Sequence, residues 1–88
     1  MGDESKKILV VAKEDKVEAL RMATGLTLLD DAVEIAVLGE LDESGEEVQM
    51  QLEALDFAEV PIERLRDDMA SYKRLTGMMI KSNAVLIV

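Results

Sequence analysis

Three short clusters of polar side chains have the residue types to do chemistry in this 88-residue chain. Lys13, Glu14 and Asp15 follow the first apolar run, where a phosphate-binding turn would sit. Such a turn needs glycines so that backbone amides can approach an anion, and none lies between Val11 and Lys16. The plainer reading is a solvated turn in which Asp15 caps a helix. Glu40, Asp42, Glu43, Glu46 and Glu47 offer oxygens to a hard cation, but they lack the fixed spacing of a calcium-binding loop. A solvated acidic loop has the same composition, so no metal site is assigned. Ser71, Tyr72 and Lys73 are adjacent, and neighbours on a helix point in different directions, so they do not pair as nucleophile and base.

Composition narrows the chemistry further. The chain contains no cysteine and no histidine. Thiolate nucleophiles, thiolate metal sites, disulfides and the usual general base near neutral pH are therefore missing, and no catalytic residue or cofactor is assigned. Nineteen acidic residues against ten basic ones give a formal charge of −9, which repels nucleic acid phosphates and anionic lipid alike. Neither nucleic acid nor membrane is expected as a partner. No apolar run nears the roughly 18 residues that span a bilayer, and the charged start lacks the hydrophobic segment of a signal peptide, so a cytoplasmic location is expected.

The elements that would position these groups alternate. Lys6 to Ala12 (KKILVVA), Ala32 to Leu38 (AVEIAVL) and Ala84 to Val88 (AVLIV) are apolar without strict alternation, as strands covered on both faces are. A shorter strand is read at Phe57 to Val60, because Pro61 cannot donate to a ladder and suits the first position of a helix. The first helix is expected from the Asp15 and Glu18 capping pair to about Leu29, with Asp30 and Asp31 as the following turn. The second is opened by Ser44 with Glu47 and buries Val48, Leu52 and Leu55. A long third helix takes Ile62, Leu65, Met69, Tyr72, Leu75 and Met79 as its inner face, with Gly77 a point of bending. Strands alternating with helices predict one α/β domain over residues 1–88, with a mainly parallel four-stranded sheet between helical layers. Ligands gather at the carboxyl ends of such strands. The candidate ligand-binding residues are accordingly Lys13, Glu14, Asp15, Glu40, Pro61 and Glu63.

The first helix is more apolar than one sheet requires. Leu28 falls beside Glu18, Arg21 and Gly25 on the side that should be wet, and a mid-helix glycine costs about 1 kcal/mol relative to alanine. Met22, Gly25, Leu28 and Leu29 are therefore candidate interface residues, the alternative being a helix that dips toward the core at its end.

The stretch KKILVVAKEDKVEALRMATGLTLLDDAVEIAVLGE, Lys6 to Glu40, resembles the start of the DsrE/DsrF-like family of small sulfur-relay proteins, with Ala19, Arg21, Met22 and Ala23 matching its helical Ala-x-Arg-x-Ala-like run. The segment SNAVLIV, Ser82 to Val88, is similar to that family's last strand. The resemblance implies a flavodoxin-like three-layer fold, strand order near 3-2-1-4, and homo-oligomers or assemblies with related DsrE-like subunits. Active members carry persulfide on a cysteine in the loop after the third strand. Here that loop is expected at Val60, Pro61, Ile62 and Glu63, which hold no thiol. The resemblance thus implies a non-catalytic accessory or binding protein. The alternative is a small-molecule binder or enzyme with a pocket between subunits at the carboxyl ends of the strands.

Overall fold

The computed structural model describes residues 7–29, 32–66 and 68–88. In chain order the elements are β1 (Lys7–Ala12), α1 (Lys16–Leu26), a 3₁₀ turn (Thr27–Leu29), β2 (Ala32–Leu38), α2 (Glu46–Phe57), β3 (Ile62–Leu65), α3 (Met69–Lys81) and β4 (Ala84–Ile87). The expected turn at Asp30 and Asp31 lies outside the described residues, as does the side chain of Leu29.

The four strands form one sheet in the order β3-β2-β1-β4, and every pairing is parallel. The apolar runs of β1 and β2 follow from this arrangement, because side chains that alternate between two covered faces are mostly apolar; Glu34, the exception in β2, is partly buried and lies 3.9 Å from Lys7. Ile8, Val10 and Ala12 of β1, with Val33, Ile35 and Val37 of β2, pack under α1 and α2 against Ala19, Leu20, Ala23, Val48 and Leu55. Leu9 and Val11, with Ala36 and Leu65, turn to the other side and meet Met78 of α3. Helices α1 and α2 are further joined by a Thr24 hydroxyl donating to Gln51 Oε1 at 2.8 Å and by the Arg21–Glu47 ion pair at 3.2 Å.

β1 and β4 are fastened at both ends. At the amino end the Asn83 amide donates to the Lys7 carbonyl and the Lys7 amide donates to Asn83 Oδ1, both at 2.8 Å. At the carboxyl end the amides of Lys13 and Glu14 both donate to the Val88 carbonyl at 2.9 Å.

The third strand lies later than the sequence pattern suggests. Phe57 is the last residue of α2, and Ile62–Leu65 is the strand. The chain leaves α2 through a left-handed turn in which Glu59 has φ 60, its amide donates to the Asp56 carbonyl and the Val60 amide donates to the Leu55 carbonyl. Glycine usually takes this helix-ending position. With glutamate there, the stop signal is absent from the sequence and Phe57 to Val60 passes for a strand. Pro61 therefore does not start a helix. It enters β3, where only its carbonyl is needed, accepting from the Ile35 amide at 3.0 Å.

Two helix starts also need correction or support. Asp15 Oδ1 accepts from the Glu18 amide at 3.1 Å as a cap should, although the Glu18 carboxylate turns to Arg21 at 3.0 Å. At α2 the cap is Gly45 without a side-chain bond, because Ser44 instead donates its hydroxyl to Asp42 at 2.6 Å. Helix α3 begins at an unforeseen cap, Asp68, whose Oδ1 accepts from the Ser71 amide at 2.8 Å. Ile62 and Leu65 thus belong to a strand, and the inner face of α3 is Leu75, Met78 and Met79. The helix runs unbroken through Gly77.

Candidate functional site

The carboxyl ends of β1, β2 and β3 meet the start of α3, and it is here that an open parallel sheet offers a ligand site. Lys13 leaves β1, Gly39 leaves β2 and Arg66 leaves β3. A cavity of about 210 Å³ is lined by Lys13, Leu38, Gly39, Arg66 and Tyr72. A second recess of about 460 Å³ adjoins it through Gly39, Glu40, Arg64, Leu65 and Arg66. Gly39 has φ 83, a conformation that a side chain would strain, while its amide donates to the Leu65 carbonyl at 2.9 Å and ties β2 to β3 at the mouth. The Arg66 amide donates to Ser71 Oγ at 3.0 Å, which fixes the β3–α3 turn. Asp68 is held below the ordinary carboxylate range, first by the Ser71 amide and then by the Ser71 hydroxyl.

Arg21, Arg64 and Arg74 each make an ion pair with a carboxylate, whereas Lys13 and Arg66 make none among the described residues. Two exposed cations beside a phenol can hold an anionic group by charge.

The predicted ligand residues separate into three groups. Lys13 and Glu40 line the two carboxyl-end recesses. Glu14 and Asp15 stand beside them but serve the backbone: the Glu14 amide goes to Val88, and the Asp15 carboxylate caps α1. The amides of this turn are thus bonded to a carbonyl and not aimed at an anion. Pro61 and Glu63 lie elsewhere, which corrects the expectation that they follow the third strand. Pro61 is at the amino end of the sheet. Glu63 is inside β3, where its carboxylate accepts from Arg74 Nε at 2.9 Å and Nη2 at 2.5 Å. The guanidinium holds that carboxyl below its ordinary range, against the opposing effect of partial burial. Because β3 ends at Leu65, the loop that follows it starts at Arg66. Arg66 and Tyr72 were hidden by that displacement.

The acidic loop is organised by its own bonds. Asp42 accepts from the Ser44 amide and hydroxyl, which holds its carboxyl low, Glu43 pairs with Arg64, and Glu47 pairs with Arg21. Among the described residues no three carboxylates converge as a cation site would require. Nor is any helix among them long and apolar enough to cross a membrane.

A larger groove of about 580 Å³ opens at the opposite, amino end of the sheet. Its rim carries Leu28, 83% exposed, and Phe57, 92% exposed, with Val60 and Pro61 in its wall. Leu28 thus faces solvent, as its position beside Arg21 and Gly25 predicts, although it lies in the 3₁₀ turn after α1 because the α-helix ends at Leu26 and not near Leu29. Gly25 is exposed too, and a Cβ added there would meet nothing within 4 Å, so no described residue accounts for the glycine. Met22 is half-buried. Phe57 was missed because it was assigned to a strand. Its signal was the helical spacing from Met50.

No family model matches the chain, and no curated protein matches it. Among solved structures, a crystal structure of yeast YNU0 (YNL200c) is similar, with a TM-score of 0.61 and 13% sequence identity over 99% of this chain and 50% of that one. The chain spans half the length of that neighbour. At this identity the likeness shows the fold alone: an α/β domain with a parallel sheet between helical layers.

Proposed function

We propose that the chain is a non-catalytic, oligomeric accessory or binding domain of the DsrE/DsrF-like kind, working in the cytoplasm with further copies of itself or with related subunits. The observation that carries this reading is the pair of large apolar side chains, Leu28 and Phe57, exposed on the rim of one groove. Scattered apolar residues are ordinary on a protein surface, but neighbouring ones on a small domain mark a contact. The sequence resemblance at Lys6 to Glu40 and the absence of cysteine and histidine from the chain support the same reading. A relay of persulfide needs a thiol, so any sulfur chemistry here belongs to a partner.

Light scattering on the full chain at tens of micromolar tests it. The expected result is a mass of several chains. A strict monomer overturns the proposal, as does persulfide transfer by the purified protein alone.

A further inference from the structure

Helices α2 and α3 lie on opposite faces of the sheet, and they carry opposite charge. Helix α2 (EEVQMQLEALDF) contains four acidic residues and no basic one. Helix α3 (MASYKRLTGMMIK) contains three basic residues and no acidic one. Much of this charge is uncompensated within the chain: among the described residues Glu46, Glu53 and Asp56 make no ion pair, and neither do Lys73 and Lys81. In a protein of net charge −9, a basic helix is the exception.

Each helix also exposes apolar side chains along its outermost line. On α2 the residues turned away from buried Val48 and Leu55 are Glu46, Met50, Glu53 and Phe57, at steps of four, three and four. On α3 the residues turned away from buried Met78 are Met69, Lys73, Thr76 and Ile80, at the same steps. Met50, Phe57, Met69 and Ile80 are all exposed. Laid antiparallel, the two lines set Phe57 against Met69, Glu53 against Lys73, Met50 against Thr76, and Glu46 near Ile80 and Lys81. Laid parallel, they set Met50 against Lys73 and Glu46 against Met69. The parallel register also sets Phe57 against Ile80, but the antiparallel register alone adds a pair of opposite charges, Glu53 with Lys73, to an apolar pair.

We propose that copies of this chain associate head to tail, the outer face of α3 in one copy seated antiparallel on the outer face of α2 in the next. This rests on the oligomeric reading above and names its surface. Because the two helices lie on opposite faces, two copies cannot satisfy both surfaces of each, and the contact continues beyond a dimer into a ring or a row. The groove holding Leu28 and Phe57 is continuous with the α2 line through Phe57.

Charge reversal on the full chain tests this, with sedimentation velocity as the readout and far-UV circular dichroism confirming that the exposed substitutions leave the fold intact. One variant carries Glu46→Lys and Glu53→Lys, the other Lys73→Glu and Thr76→Glu. Each alone is expected to associate at least roughly tenfold more weakly than wild type. Mixed in equal amounts they are expected to associate as tightly as wild type and to exceed the mass of either alone, because alternating copies then meet in turn through an unaltered α3 on an unaltered α2 and through an altered α3 on an altered α2. Variants that assemble as wild type does, a mixture no larger than its parts, or a wild-type protein that stops at a dimer overturn this surface while leaving the oligomer in place. A monomeric wild type overturns both.

Discussion

The two faces of the sheet are made by the same strands and are covered very differently. On one side α1 and α2 close over six buried strand residues, add five buried residues of their own, and lock together through Thr24 with Gln51 and Arg21 with Glu47. On the other a single helix covers four, with Met78 the one residue of α3 that is buried. The flank of α3 over β2 and β3 is ionic, with Glu63 held by Arg74 and Glu34 at 3.9 Å from Lys7. Its other flank leaves Ile87 of β4 exposed. Apolar burial is the main favourable term in folding, so the first face carries most of the stability and the second is the more easily opened.

Paired truncations give the largest test of that contrast. Leu20→Ala, at a fully buried site under two helices, is expected to cost about 4 kcal/mol, and Met78→Ala, at the rim of the thin face, about 2 kcal/mol. Urea unfolding measures both, and equal losses would break the comparison. A smaller effect of opposite sign is expected at the turn that delivers β3. Glu59→Gly removes the strain of a left-handed glutamate and should raise stability by about 1 kcal/mol in the same assay. No gain would show that the Glu59 side chain contributes to the turn.

The smallest effect is on the ionic flank of the thin face. Glu63 has its carboxyl lowered chiefly by the Arg74 hydrogen bond, so its contribution is present above the unfolded value, near 4.5, and is lost as pH falls through the lower folded value. Asp42 and Asp68 follow the same sign, through their bonds to Ser44 and Ser71. Stability should therefore decline as the solution is acidified below about pH 4. Glu63→Gln should make that decline shallower, by an amount kept small by the exposure of the pair. An unchanged acid slope would mean that the pair contributes nothing.

Much of this architecture is legible in the residues, and the reasons for the failures are local. Strands β1 and β2, both central, announce themselves by apolar runs broken only by Glu34, and β4, though at an edge, does so because Val85 and Leu86 pack on opposite faces. Strand β3 reads Ile-Glu-Arg-Leu, since an edge strand tolerates charge and each charge here has a partner, Glu63 with Arg74 and Arg64 with Glu43. Without a glycine at position 59 its true start was also unmarked. That single displacement moved the carboxyl end of the third strand from Leu65 to Val60, so Lys13 was found and Arg66 and Tyr72 were not. The apolar surface on α1 was visible at Leu28. Its continuation at Phe57 depended on the same boundary.

The bonds between Lys7 and Asn83 bear on how the protein is made. Strand β1 is central, yet one of its two neighbours is encoded 76 residues downstream. During translation the early half of the molecule has β1 paired with β2 on one side only, and the amides after β1 wait for the Val88 carbonyl. The middle of the sheet is therefore an open edge until β4 has emerged, and the domain should acquire protease resistance only then and in one step.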